Sequence, residues 1–182
     1  MKIFLDTGVF AAYLLPEVRD VLEKEFAGIK DKKDTLCITP LVLEEFSHTL
    51  LYKIGSDTGI FDQLGGNKTS RPERIKHFFD NYGAVLQTLL LYAEHLDVPK
   101  QIGALLADKQ LLETLTADVR TMDLLHVLSA AFLNTDVLIT SDSKLFSWVQ
   151  GNIELFKGTI QKDFLFVHLD LKTLKLEQFK VK

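Results

Sequence analysis

The chain has little of what marks an exported protein or a broadly basic one. Only one of its 182 residues is a cysteine, Cys37. No disulfide can therefore form within the chain, a zinc site built from cysteines is excluded, and a reducing cytoplasm is the compartment that fits. With 21 basic and 25 acidic side chains, the formal net charge is −4. Any nucleic-acid ligand must then be attracted by a local basic patch or by a bound cation.

Long apolar runs are also missing. The longest, such as Leu89–Ala93, are far shorter than the roughly 20 residues needed to span a bilayer. The first 15 residues are apolar, but Asp6 interrupts them and only Lys2 precedes it. We therefore expect neither a signal peptide nor a membrane segment, and we expect a cytoplasmic protein.

The pattern of apolar residues predicts strands that alternate with helices. Hydrophobic residues make up 47% of the chain and charged residues 25%, which is typical of one globular domain. Strands are predicted at 2–5, 36–39, 136–140 and 164–169, helices at 9–15, 17–30, 40–50, 73–95, 100–117, 122–133 and 143–149, and a long polar loop at 55–72. This alternation indicates an α/β sandwich with a mostly parallel sheet.

Acidic residues stand close to the predicted strand ends. Asp6 follows the first strand, Asp142 lies just beyond the third, Glu45 lies on the helix that leaves the second, and Asp123 opens an apolar helix. Ligands of such sheets bind beyond the carboxyl ends of the strands. We therefore expect these four carboxylates to converge at one edge.

Each acid also has an ordinary structural role open to it. Asp6 and Asp142 are suited to cap helices, Asp123 suits a helix N-terminus, and Glu45 could be a solvated position with Glu44 an equal claimant. Unpaired charges in apolar segments are costly, however, and crowded carboxylates need a cation. A set of oxygen ligands without nitrogen or sulfur suits Mg²⁺ or Mn²⁺.

The segments around these acids resemble the four motifs of the PIN-domain nucleases. They are residues 2–10, 38–46, 122–131 and 138–146, which occur in the family's order. The resemblance covers 1–55 and 119–150, and no match is evident over 56–118. It implies a three-layer α/β/α sandwich with a mostly parallel central sheet, enlarged by a helical insertion at about 56–118, as a single domain over 1–182.

The resemblance also assigns roles to individual residues. The family's catalytic and metal-binding acids fall on Asp6, Glu45, Asp123 and Asp142. Glu45 is chosen over Glu44 because the family's acid usually stands six positions after a strand-end Ser or Thr, here Thr39. The supporting positions are Thr7, Thr140 and Ser141. Two departures stand out: Gly8 replaces a frequent Asn, and Leu145 replaces a further acid that many members carry.

The function that the resemblance implies is endoribonuclease activity dependent on Mg²⁺ or Mn²⁺. Compact single-domain members are most often toxins of toxin–antitoxin pairs, of the VapC kind. Such a protein is expected to act on RNA, to form a homodimer and to be silenced by a small antitoxin protein. The alternative is a PIN-like module that binds RNA or protein in an RNA-processing assembly without cutting.

A basic cluster around the glycine-rich loop is the candidate RNA-binding surface. Its residues are Lys53, Lys68, Arg71, Arg74 and Lys76. Basic side chains contact phosphates, and the aromatic residues that follow, Phe78, Phe79 and Tyr82, could stack on unpaired bases. Acids in the same segment nearly cancel these charges, and the aromatic residues could equally belong to the core.

His126 lies one helical turn after Asp123, on the same predicted face. It could reach the acidic site. The more common role of such a residue is a core histidine whose ring nitrogens are hydrogen-bonded.

Overall fold

A mostly parallel sheet organises the chain. The computed structural model describes residues 1–54, 59–97, 119, 121–156 and 163–181. Within these ranges one six-stranded sheet is formed by β1 (Lys2–Leu5), β2 (Thr35–Ile38), β3 (Glu94–His95), β4 (Val137–Thr140), β5 (Phe164–Asp170) and β6 (Lys175–Val181). The order is β3-β2-β1-β4-β5-β6, and every pair is parallel except β5 and β6.

Helices flank this sheet and complete a three-layer α/β/α sandwich. The described ones are α1 (Thr7–Ala12), α2 (Pro16–Glu25), α3 (Pro40–His48), α4 (Ile60–Gly65), α5 (Arg71–Tyr92), α6 (Thr121–Phe132) and α7 (Ser143–Gly151), with a π-helical turn at Thr49–Lys53 and a 3₁₀ turn at Ile153–Phe156. No helix in these ranges combines the length and apolar character needed to cross a bilayer. The predicted fold class is confirmed.

The central strands are buried on both faces, as parallel strands covered by helices are. Every residue of β4 is buried, and so are Ile3, Phe4 and Leu5 of β1. Leu5 pairs with Ile139, and the backbone N–H of Asp6 donates to the Ile139 carbonyl at 3.0 Å. The first residue after β1 therefore lies beside the last residues of β4, at the carboxyl edge of the sheet.

Two strands were not predicted from the sequence. β3 has only two residues, too few to show an alternating pattern. β6 is an antiparallel edge strand in which only its last residue, Val181, is fully buried. Its mostly polar sequence gives little strand signal because only one neighbour and part of one face need apolar contact.

Several predicted helix and loop boundaries need correction. The helix predicted over 17–30 ends at Glu25, and Phe26 leaves the helical region, although Phe26 and Ile29 are buried and imitate a helical repeat. The loop predicted over 55–72 contains α4, a short helix between Gly59 and Gly66, both of positive φ. The helix predicted over 100–117 lies outside the described residues.

The segment 56–118 is more than a helical insertion where the structure describes it. Its described part carries α4, α5 and the edge strand β3, which joins the sheet beside β2. The helix predicted over 73–95 starts earlier, at Arg71. Ser70 and Glu73 form a reciprocal capping box there, which satisfies backbone N–H groups of the first turn.

Candidate active site

Asp6 lies at the junction of β1 and α1, where it is held by three hydrogen bonds. Its Oδ1 accepts from the Val9 backbone N–H at 2.7 Å and so caps α1. Its Oδ2 accepts from the Thr140 hydroxyl at 2.5 Å and from the Ser141 N–H at 3.2 Å. The predicted capping role and the predicted place at the strand ends therefore both hold.

Burial sets the electrostatics of Asp6. The residue is only 7% exposed, and desolvation raises the pKa of its carboxyl above the ordinary value. The hydrogen bond from Thr140 and then that from Val9 lower the pKa but do not offset the burial. The charged form of Asp6 is therefore poorly stabilised by the surrounding protein, and a cation nearby would favour it.

Glu45 is held at one carboxylate oxygen by two other elements. Its Oε2 accepts from the Thr7 hydroxyl at 2.5 Å and is 2.9 Å from Nε2 of His126. Thr7 opens α1, Glu45 lies on α3 and His126 lies on α6. Side chains from three helices thus meet at this oxygen. Because Thr7 directly follows Asp6 in the chain, its hydrogen bond to Glu45 places these two acids near each other.

Asp142 is tied to Asp6 through Thr140. The Thr140 hydroxyl accepts from the Asp142 N–H at 3.0 Å while it donates to Asp6. Oδ1 of Asp142 accepts from the N–H groups of Lys144 and Leu145, so it also caps α7. The fourth acid, Asp123, is buried in the first turn of α6, one turn before His126 and on the same helix face.

The three residues predicted to support the site make hydrogen bonds to two of the predicted acids, Asp6 and Glu45. Thr7, Thr140 and Ser141 all donate to a site carboxylate. Gly8, the departure from the family's usual Asn, leaves room for Ser141, because a Cβ on Gly8 would lie 2.2 Å from the Ser141 Oγ. Leu145, where many members carry an acid, is buried.

His126 is the partner that sequence reasoning left undecided. Its ring is buried, as expected of a core histidine, but Nε2 contacts Glu45 and Nδ1 has no hydrogen-bond partner among the described residues. The three-residue spacing from Asp123 was the available signal. Only the contact between His126 on α6 and Glu45 on α3 shows that the signal was meaningful.

The oxygen ligands that the four acids offer suit a divalent cation, but their side chains are not arranged around a common point in this structure. All four acids offer oxygen, the ligand that Mg²⁺ and Mn²⁺ prefer. The buried carboxyl of Asp6 is also an acid that a cation would stabilise. However, no group of three or more His, Cys, Asp or Glu side chains within the described ranges is placed to hold an ion.

The basic side chains of the predicted RNA-binding cluster contact different residues. Arg74 forms an ion pair with Asp62 at 2.6 Å, and the Arg71 guanidinium lies 5.3 Å from the centre of the Tyr52 ring. Lys68 and Lys76 line a surface pocket of about 310 Å³ together with acidic Glu73 and Asp80. The side chain of Lys53 lies outside the described part of the chain.

The aromatic residues of that segment have different surroundings. Phe78 is fully buried, so it belongs to the core, whereas Phe79 is 53% exposed. Tyr82 is partly buried against the core. RNA contact by this region stays a prediction.

The fold and these acids define an α/β protein with a carboxylate site at the carboxyl edge of its sheet. The PIN domain family matches residues 3–150, so the chain belongs to the PIN-domain family. A solved structure of VapBC2 from Rickettsia felis, bound to a DNA fragment from its promoter, is similar with 19% identity and a TM-score of 0.49, covering 81% of this chain and 92% of that one. No curated protein matches the sequence significantly.

Proposed function

We propose that this protein is an endoribonuclease that cuts RNA phosphodiester bonds with water activated by Mg²⁺ or Mn²⁺. PIN domains are generally nucleases, and the match spans most of the chain. The observation that carries the proposal is the chain of hydrogen bonds at the sheet edge. Thr140 links Asp6 to Asp142, and Thr7, next to Asp6, holds Glu45.

Asp6, Glu45, Asp123 and Asp142 are the residues that would hold the ion. When bound, a divalent ion supplies the charge that polarises the scissile phosphate and activates water. Because the four acids repel RNA in the absence of a cation, we expect the ion to be needed for RNA binding as well as for cleavage.

The chain's own residues orient the acids. Thr140 and the Ser141 N–H fix Asp6 in one direction, and Thr7 and His126 fix Glu45. The Glu45 side chain is 28% exposed, so it is open to a water molecule that approaches from solvent. We assign to Glu45 the orientation of the attacking water, and we expect products with 5′-phosphate and 3′-hydroxyl ends.

We further propose that the protein is the toxin of a toxin–antitoxin pair. This rests on the PIN match over residues 3–150 and on the four motif segments, because such toxins are the commonest setting of compact members of this family. Its expected partners are RNA, a second copy in a homodimer and a small antitoxin protein, all in the cytoplasm. Lys53, Lys68, Arg71, Arg74 and Lys76 are the residues proposed to contact RNA phosphates.

The test is cleavage of labelled single-stranded RNA with and without Mn²⁺. We expect cutting only with the ion, and a loss of about a hundredfold or more in kcat in Asp6→Asn and Asp142→Asn, because each removes a carboxylate that would hold the cation whose charge stabilises the transition state. Asp20→Asn, which alters an exposed acid on α2, is the matched control and should cut like the wild type. Cutting that survives in both site variants would contradict the proposed chemistry.

A binding-only PIN module is the second candidate. The observation that favours it is the lack of a three-acid ligand group among the described residues. That function predicts RNA binding that is unchanged by Asp6→Asn and Asp142→Asn, with no cutting at any Mn²⁺ concentration. The same assay therefore separates the two candidates.

A further inference from the structure

We propose that His126 is a positioning residue that, together with Thr7, fixes the orientation of the Glu45 carboxylate. This inference rests on the proposed function for its effect on activity, but its geometry stands alone. Nε2 of His126 and the Thr7 hydroxyl both approach Oε2 of Glu45, at 2.9 and 2.5 Å.

The contact between His126 and Glu45 has a defined donor and acceptor. An ionised carboxylate can only accept, so Nε2 must carry the hydrogen in its contact with Glu45. Nδ1 is buried and has no partner among the described residues. The contact therefore requires a hydrogen on Nε2 and places no requirement on Nδ1.

The ring itself is held by packing. His126 is 3% exposed, and its ring centre lies 6.3 Å from that of Phe4 in β1, whose side chain is fully buried. A rigid ring on a buried helix can therefore direct a donor at a residue on another helix. This support matters because a partly exposed glutamate otherwise samples many rotamers, and ordering its side chain costs conformational entropy.

Holding one oxygen of Glu45 restricts how its carboxylate can point within the site. When Oε2 is engaged by Thr7 and His126, the direction of the whole carboxylate is set relative to Asp6. Residues that orient metal-binding carboxylates typically contribute about ten- to hundredfold to metal affinity or activity. We therefore expect His126 to act through Glu45 and not through contact with RNA.

The functional test compares three substitutions on α6. We expect His126→Leu to weaken Mn²⁺ binding, measured by calorimetry without RNA, about ten- to hundredfold, and to lower kcat with little change in KM for RNA. His126→Gln, which keeps an amide donor, should recover most of both. Ser129→Ala is the packing control, because Ser129 is buried one turn later and its Oγ has no partner among the described residues.

A double-substitution cycle separates positioning from packing. If His126 acts through Glu45, His126→Leu should weaken Mn²⁺ binding no further in a Glu45→Ala background. An equal loss in both backgrounds, or wild-type Mn²⁺ affinity and kcat in a folded His126→Leu protein, would overturn the inference.

The NMR test needs neither metal nor RNA, so it decides the inference even if the protein does not cut RNA. We expect the ¹⁵N spectrum of the histidine side chains to show His126 protonated at Nε2. This proton should lose its protection in Glu45→Ala and keep it in Glu44→Ala, where the neighbouring exposed acid is removed. A ring without a hydrogen on Nε2, or a signal indifferent to Glu45→Ala, contradicts the proposed contact.

Discussion

At the scale of single residues, the Thr140 hydroxyl connects two of the site acids. It donates to Asp6, accepts from the Asp142 N–H and is completely buried. Thr39 directly follows β2, whereas Thr140 is the last residue of β4. Thr39 is equally buried, but its hydroxyl has no partner within the described residues. The two threonines therefore form a matched pair for measuring what the hydroxyl contributes.

We expect Thr140→Val to lower the free energy of unfolding by about 2 kcal/mol, since a hydrogen bond to a charged group contributes roughly 1.5–3 kcal/mol and Asp6 is left poorly satisfied. Thr39→Val should be neutral or slightly stabilising. Urea unfolding of both variants is the measurement. Equal effects of the two substitutions would show that the Thr140 hydroxyl contributes nothing to stability.

The buried carboxyl of Asp6 predicts a particular pH dependence. Because its folded-state pKa is raised chiefly by burial, the folded protein binds this proton more tightly than the unfolded chain. The contribution of Asp6 to stability is therefore greatest at low pH and falls as the pH rises through the folded pKa. Asp6→Asn removes this charge.

We expect Asp6→Asn to raise the free energy of unfolding at pH 7 in metal-free buffer. The gain should shrink as the pH falls towards about 4, the ordinary range of an aspartate pKa. Chemical unfolding at several pH values measures this, with Asp20→Asn as the exposed control. A difference from the wild type that is independent of pH would contradict the burial of the charged form.

At the scale of elements, the site depends on how closely α1 approaches the turn between β4 and α7. Gly8 in α1 lies against Ser141 in that turn, and a Cβ on Gly8 would meet the Ser141 Oγ at 2.2 Å. The Ser141 Cβ would be at an ordinary 3.6 Å. The hydroxyl alone therefore accounts for the close approach.

We expect Gly8→Ala to destabilise the protein by about 1 kcal/mol, because overpacking outweighs the better helix propensity of alanine. In a Ser141→Ala background the clash is absent. The same substitution should then stabilise by roughly 0.5–1 kcal/mol, the usual gain of alanine over glycine in a helix. Thermal or urea unfolding of the four proteins gives the coupling energy, and additive effects would refute the contact.

At the scale of the whole molecule, the sheet order places β1 between β2 and β4. Acids that follow β1 and β4, and the helix that leaves β2, are thereby gathered at one edge. If they bind an ion in the folded state alone, the ion stabilises the entire fold by mass action.

We expect Mn²⁺ at about one hundred times its dissociation constant to stabilise the protein by about 2.7 kcal/mol. For a chain of this size that is a rise in Tm of about 5–10 °C. The rise should be lost in Asp142→Asn and kept in Asp20→Asn, measured by calorimetry. A wild-type Tm indifferent to Mn²⁺ and Mg²⁺ would show that the acids do not form a metal site.

The sequence by itself determined the local elements and the candidate acids. Strands β1, β2, β4 and β5 were predictable within a residue or so because parallel strands buried on both faces are continuous apolar runs. Edge strands β3 and β6 were not, because little of their surface has to be apolar. The glycines around α4 led to the prediction of a loop where a short helix forms. The buried Phe26 fits a helical spacing and led to a helix predicted beyond its actual end.

Only the tertiary structure decided which side chains face each other. Thr140 and Asp6 are 134 positions apart, and His126 and Glu45 are 81 apart. Local pattern carries no information about such pairs, because they depend on strand register and on the packing of helices over the sheet. Register and packing therefore determine that Thr140 joins Asp6 and Asp142, and that a buried histidine directs its Nε2 to Glu45.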